Sequence, residues 1–210
     1  MKGHFFVLDG PDGCGKSTQA KLLAEALRRA GCEVVHLREP GSTPFGEALR
    51  AVLLSSSLPR GAAAEVLTFF AARAQLMEEC VLPAVGRGGV IVCERFVSST
   101  YAYQAAGLGG AVELVNALDR LLVTRQPDLL VVLDIDEQVA LARLQRERDD
   151  IESRSAEFHA RVRRGFREYA AEHKFARCVD ASGSRAQVHG RVIAEASHAL
   201  GAPLVPAVEE

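Results

Sequence analysis

Residues 5–18 read Phe-Phe-Val-Leu-Asp-Gly-Pro-Asp-Gly-Cys-Gly-Lys-Ser-Thr, an apolar run that breaks into a glycine-rich turn and then an alanine- and leucine-rich helical pattern. From Gly10 to Ser17 the turn has the spacing G-x-x-x-x-G-K-[ST], in the strand-then-helix setting that a phosphate-binding loop requires. Gly10, Gly13 and Gly15 carry no Cβ, so the backbone there can take positive φ and turn its N–H groups toward phosphate oxygens. The positive end of the following helix adds to the attraction. The loop from Gly10 to Thr18, with Pro11, Asp12 and Cys14 between the glycines, is therefore expected to hold a nucleoside triphosphate. Lys16 would reach the β and γ phosphates, and the Ser17 hydroxyl would ligate Mg²⁺. The motif predicts binding and is silent on what becomes of the γ-phosphate.

Outward from this loop, apolar runs alternate with helical patterns, which predicts an α/β protein with a parallel sheet flanked by helices. Five strands are expected at residues 4–9, 33–38, 90–94, 129–134 and 175–180. Helices are expected to start near Gly15, Phe45, Ala62, Leu114, Glu137, Ala156 and Arg185, with Gly31, Gly86 and Gly88-Gly89 as stops. The last ten residues read as a fraying end.

The chain has 210 residues and 48% apolar content, enough for one sizeable core, so one domain over residues 1–210 is expected. A net charge of −2 gives no global pull toward nucleic acid or an anionic membrane, and any anion recognition has to come from local arginines. No signal peptide, spanning segment or lipidation motif is read, so the chain is expected to be cytoplasmic. Cys14, Cys32, Cys80, Cys93 and Cys178 form no C-x-x-C pair and read as free thiols.

In open parallel sheets, ligands gather at the carboxyl ends of the strands. The second strand ends in Arg38-Glu39-Pro40-Gly41, either a turn with a solvated ion pair or a substrate contact in which Arg38 grips a phosphate in two-pronged fashion. Phe69 and Arg73 share one helical face, an aromatic plate beside a guanidinium fork suited to a flat heterocycle. Phe70 follows directly, and one of the two phenylalanines is expected in the core. The third strand closes on Glu94-Arg95. Glu94 stands where a carboxylate acts on Mg²⁺, and Arg95 is placed to bridge donor and acceptor phosphates. Asp134 and Asp136, after the fourth strand, read as caps.

The ordered set of the loop at 10–17, Arg38-Glu39-Pro40-Gly41, Phe69 to Arg73, Glu94-Arg95 with Ser99 to Gln104, and Pro127-Asp128-Leu129 resembles the bacterial thymidylate kinases over nearly the whole chain. The resemblance implies a P-loop NTPase fold with a mobile lid, phosphorylation of dTMP by ATP with Mg²⁺, and a homodimer packed through helices near 45–56 and 62–84. It further implies that thymine stacks on Phe69 and that Arg73 hydrogen-bonds the base. Arg38 and Arg95 would hold the acceptor phosphate and Asp12 would lie near the sugar and phosphates. Thr100 and Gln104 would position the nucleotide, while Tyr103 crowds the 2′ position against ribonucleotides.

Two positions depart from the family pattern: Glu94 stands where Asp is usual, and Asp150 replaces an arginine in the lid. The expected lid, about residues 143–154, carries Arg143, Arg146, Arg148 and Arg154. This is either a charged helix face or a source of one arginine for the migrating phosphoryl group, Arg148 first and Arg143 second. The alternatives to the leading activity are another nucleoside monophosphate or deoxynucleoside kinase, and a catalytically inactive nucleotide-binding regulator. A GTPase switch is disfavoured, because Asn116-Ala117-Leu118-Asp119 lacks the lysine of the guanine motif.

Overall fold

The computed structural model describes residues 2–55, 58–136, 138–140 and 155–207. Five strands, β1 (His4–Asp9), β2 (Val34–Arg38), β3 (Val90–Glu94), β4 (Leu129–Asp134) and β5 (Ala176–Asp180), form one sheet in the order β2-β3-β1-β4-β5. Every pairing is parallel. The sequence reason is plain in β1, β3 and β4, whose apolar runs are buried almost end to end, as strands covered on both faces must be.

Alternation divides those runs between two cores. Phe6, Leu8, Val92 and Val131 pack with Leu23 and Leu27 of helix α1 (Lys16–Arg29) and Val188 and Val192 of the last helix, Arg185–Leu200. Phe5, Val7, Ile91 and Val132 face the opposite way. They meet a layer built from α3 (Ala62–Leu76), the segment after β3, and the helix Ala156–Glu172. Between β2 and α3 lies α2 (Pro44–Leu54), whose first turn is capped by Thr43 Oγ1 accepting from Gly46 N at 2.9 Å.

The strand starts differ from expectation by one residue at most, but three local features differ more. After β3 the chain forms a helix, α5 (Val97–Thr100), that continues as a π-helical stretch over Tyr101–Gly107. Ser98, Ser99, Thr100 and Tyr101 are weak helix formers, so propensity gives no signal there. Tertiary packing overrides it: Ala102, Tyr103 and Ala105 are buried, and a Cβ on Gly165 of the helix Ala156–Glu172 would stand 2.7 Å from Ala106 Cβ. Second, the helix that starts at Ala62 ends at Gly86 as expected but is not regular throughout: α3 passes through a π-helical stretch, Met77–Val81, into α4 (Leu82–Gly86). Third, the tail does not fray before residue 207. Leu204 is buried, and the Ala207 amide donates to His189 Nε2 at 3.1 Å.

The remaining helices are α6 (Val112–Leu122), α7 (Ala156–Glu172) and α8 (Arg185–Leu200). Ser155 and Ser184 cap α7 and α8, the latter with a reciprocal Gln187 contact. Residues 138–140 are helical, and Asp136 Oδ1 accepts from Gln138 N at 2.9 Å, as a cap should. Glu137 and the expected lid at 143–154, with Arg143 and Arg148, lie outside the described residues.

Candidate functional site

The carboxyl ends of β1 and β3 build the site. Gly10, Gly13 and Gly15 have φ of 141°, 79° and 93°, values that L side chains rarely adopt. At Gly13 an added Cβ would also lie 2.3 Å from the Ala140 carbonyl oxygen, so both conformation and space demand glycine. Gly15 then opens α1 with no side-chain cap, which leaves the first-turn amides for an anion. The Lys16 ammonium folds back over the loop, 3.1 Å from Pro11 O and 3.2 Å from Asp12 Oδ1.

Sequence reasoning assigned nothing to Asp9, yet this buried carboxylate ties the loop to the turn after β3. It accepts from Gly10 N at 2.8 Å, Ser98 Oγ at 2.6 Å, Ser99 Oγ at 2.7 Å and Phe96 N at 3.2 Å. An acidic residue ending an otherwise apolar strand was the available signal. Asp9 thereby fixes Arg95, one residue before Phe96, in a left-handed conformation with φ 68°. Such a conformation in a non-glycine residue is sparsely populated and persists where surrounding contacts enforce it.

From that position Arg95 meets Asp12. Its Nη2 is paired with Asp12 Oδ1, its Nη1 donates to Ser99 Oγ at 3.2 Å, and its guanidinium lies 5.5 Å from the Tyr103 ring centre. Tyr103 Oη donates to the other Asp12 oxygen at 2.7 Å. Burial alone would raise the Asp12 carboxyl, but Arg95 and Lys16 hold it well below the usual carboxylate range. Burial, then the Asp12 charge, push the Tyr103 phenol well up, so it stays a neutral donor.

Because the Asp12 pKa falls on folding, its contribution is complete above the unfolded value of 3.8 and is lost as pH drops toward the folded value. The expected result is that Asp12→Asn is less stable than the parent at pH 6 and that the gap narrows steadily below pH 3.8. Urea unfolding at pH 6 and pH 2.5 measures this, and a constant gap would contradict it.

Two clefts adjoin at this network. One is lined by Gly13, Gly15, Lys16, Ser17, Thr18 and Glu94, with Arg38 and Glu39 at its edge. The other is lined by Pro40, Leu53, Leu54, Phe69, Ser99 and Tyr103, with Glu65 and Gln104 behind. Asp12, Arg50 and Arg95 line both. Arg50 is a second residue that sequence reasoning missed. Its position on α2 gives no cue, and only the fold brings it over the Pro40 carbonyl, which it reaches at 3.1 Å.

The two phenylalanines of α3 divide as expected: Phe70 is 1% exposed in the core, and half-buried Phe69 faces the second cleft. Arg73 and Thr100 are not cleft walls. Arg73 is 2% exposed, bonded to Glu39 Oε2 through Nε at 2.8 Å and Nη2 at 2.6 Å, with Nη2 also 3.2 Å from Thr100 Oγ1. Its guanidinium packs on the Phe70 and Phe96 rings. Arg73 Nη1 is left buried without a hydrogen-bond partner, a donor held in reserve beneath the cleft. Burial pushes the Glu39 carboxyl up against the pull of Arg73. Gln104 Nε2 donates to Glu65 Oε2 at 3.1 Å, and both are buried. Arg38 is half exposed and pairs with Glu47 at 3.2 Å, so it stands at the rim.

On the loop side, Ser17 Oγ donates to Glu94 Oε2. Burial would raise the Glu94 carboxyl, but its contacts with His36 and Ser17 outweigh this and hold it below its ordinary value. A hydroxyl and an ionised carboxylate converging beside a phosphate loop are the hard oxygen donors that Mg²⁺ takes, with water and phosphate completing its shell. The donor set fits that ion. No group of three or more His, Cys, Asp or Glu suited to holding a metal occurs among the described residues. The cysteines are free, and burial raises the thiols of Cys14 and Cys93.

A family model described as thymidylate kinase matches residues 8–192. The chain is 41% identical to the thymidylate kinase of Pelotomaculum thermopropionicum over 208 residues, covering 96% of each. It is 45% identical to that of Gluconobacter oxydans over 171 residues, covering 79% of this chain and 80% of the relative. The crystal structure of thymidylate kinase from Ehrlichia chaffeensis superposes with a TM-score of 0.76 at 29% identity, covering 92% of this chain and 98% of that one.

Proposed function

The chain belongs to the thymidylate kinase family, and we propose that it transfers the γ-phosphoryl group of ATP to dTMP, giving dTDP and ADP. The observation that carries this is the pair of adjoining clefts sharing Asp12, Arg50 and Arg95. A triphosphate held by the loop and a monophosphate held by the second cleft meet end to end over those side chains. The acceptor is already an ionised phosphate, so positioning and charge neutralisation suffice and no base is needed.

In this reading the donor phosphates lie on Gly10, Pro11, Asp12, Gly13, Cys14, Gly15, Lys16, Ser17 and Thr18, with Lys16 over the β and γ positions. Mg²⁺, when bound, neutralises charge on the donor phosphates, and Ser17 and Glu94 are the residues that would hold it, directly or through water. Phe69 stacks on the thymine ring, and the unpartnered Nη1 of Arg73 is the donor for a base carbonyl. Arg95, with Arg38 and Arg50 at the rim, takes the acceptor phosphate. Tyr103 and Gln104 close the sugar side, and Thr100 acts from behind by holding Arg73. Arg148, with Arg143 second, is assigned the lid cation on the sequence pattern alone.

A homodimer through α2 and α3 is part of the proposal, supported by Phe45 and Leu67, which are 49% and 52% exposed on those helices. A monomer mass by light scattering would remove it. No described helix is long and apolar enough to cross a membrane; a cytoplasmic location is a further part of the proposal.

ADP release in a coupled assay with ATP, Mg²⁺ and a panel of monophosphates tests the activity. dTMP is expected to exceed dUMP by about 10-fold or more, because one buried methyl group contributes about 1–3 kcal/mol. Equal turnover of dGMP or dCMP would support the wider kinase alternative, and no turnover of any acceptor would support the inactive regulator. The comparisons favour neither alternative.

A further inference from the structure

On the sheet face that carries α1, β2 and β3 run parallel with His36 opposite Val92 and Arg38 opposite Glu94. Residues 36, 38, 92 and 94 therefore point to one side, and His36 and Glu94 are diagonal neighbours. Their side chains are 23% and 15% exposed, and His36 Nε2 lies 2.9 Å from Glu94 Oε1. The approach is close in distance but not aligned as a good hydrogen bond, so it acts as a polar contact that limits where the carboxylate can turn. The other oxygen, Oε2, takes the Ser17 hydroxyl.

We propose that His36 is a positioning residue for Glu94: by engaging Oε1 it holds the carboxylate over Ser17, with Oε2 turned toward the ion that accompanies the donor phosphates. The inference rests on the proposed role of Glu94 as a metal-side residue. Glutamate has one more rotatable bond than aspartate, so a free glutamate at a strand end samples more rotamers and gives up more freedom when it is fixed. The Lys16 ammonium also draws on Glu94 electrostatically. A Glu94 released toward Lys16 would set an internal ion pair against the phosphate that this lysine serves. The imidazole on β2 is what opposes that swing, and it is supplied from outside the loop, so the loop sequence gives no sign of it.

Mn²⁺ binding to the full chain with a non-hydrolysable ATP analogue, read from the free-ion EPR signal and corrected for the analogue alone, tests this without turnover. His36→Leu is expected to raise the Mn²⁺ dissociation constant about 10-fold or more, the usual range for losing a residue that orients a metal ligand. His36→Gln, which keeps a polar group of similar reach, should return to within about 3-fold of the parent, and His36→Leu should add nothing in a Glu94→Gln background. If His36→Leu does not fold, His36→Asn, polar but shorter, serves the same comparison. dTMP affinity should stay within about 2-fold in every His36 variant. Weakened Mn²⁺ binding in Glu94→Gln with none in His36→Leu would overturn the role of His36 alone. Unchanged binding in Glu94→Gln would overturn the metal-side role of Glu94 with it.

Discussion

Arg95→Ala is expected to lower turnover by about 10²–10³-fold, the range seen when one preorganised donor to developing charge is removed. The same substitution should cost little folding stability. Asp12, its main partner, keeps Lys16 at 3.2 Å and the Tyr103 hydroxyl at 2.7 Å, so no buried carboxylate is orphaned. The left-handed backbone at residue 95 points to the same conclusion: the chain holds a sparsely populated conformation to aim this guanidinium, and a residue kept for packing would not need it. Arg95→Lys should recover part of the loss, because it keeps the charge and gives up the fork that engages two oxygens at once. Turnover per folded molecule, with the folded fraction measured by circular dichroism, separates the two roles. Stability loss on the scale of a core truncation, about 3–5 kcal/mol, with unchanged turnover would contradict the assignment.

The second large effect comes from comparing neighbours on α3. Phe69→Ala should weaken dTMP binding about 10-fold or more, since base–aromatic stacking contributes about 1–3 kcal/mol, and it should leave ATP affinity nearly intact. Phe70→Ala should act on folding instead. Phe70 is 1% exposed and supports the Arg73 guanidinium at 4.6 Å, so its truncation should cost about 3–5 kcal/mol of stability. Isothermal titration of each nucleotide with thermal unfolding of each variant checks both. Equal loss of ATP and dTMP affinity in Phe69→Ala would place Phe69 in the core with its neighbour.

The contrast between these two residues shows what the sequence discloses. Both stand in one Ala-rich helix, and pattern alone says that one is core. Which one depends on how α3 is rotated against β1 and β3, a property of the assembled fold. By the same logic the strand positions were legible, because continuous apolar runs in β1, β3 and β4 have few uses other than a sheet covered on both faces. The loop was legible because its glycine spacing is set by local backbone chemistry. The strand-end residues Arg38, Glu94 and Arg95 followed from where such sheets place ligands.

What stayed hidden is polar and non-local. Asp9 anchors the loop to Ser98 and Ser99, Glu39 holds Arg73, and Arg50 spans two clefts. Each partner is remote in sequence and leaves no periodic trace. The helix after β3 was missed for a related reason, since serines, threonine and tyrosine form it only because α7 packs on Ala102. His36 carries no signal in the sequence, and only the β2–β3 register sets it beside Glu94.

A crystal structure of the full chain with dTMP and a non-hydrolysable ATP analogue is the most direct measurement of the central claim, that two nucleotides meet over Asp12, Arg50 and Arg95. The expected density has thymine against Phe69, the acceptor phosphate within hydrogen-bond reach of Arg95, and the triphosphate along Gly13 to Thr18. Density for dTMP away from Phe69 and Arg95, or an acceptor phosphate too far from the donor for in-line transfer, would contradict it.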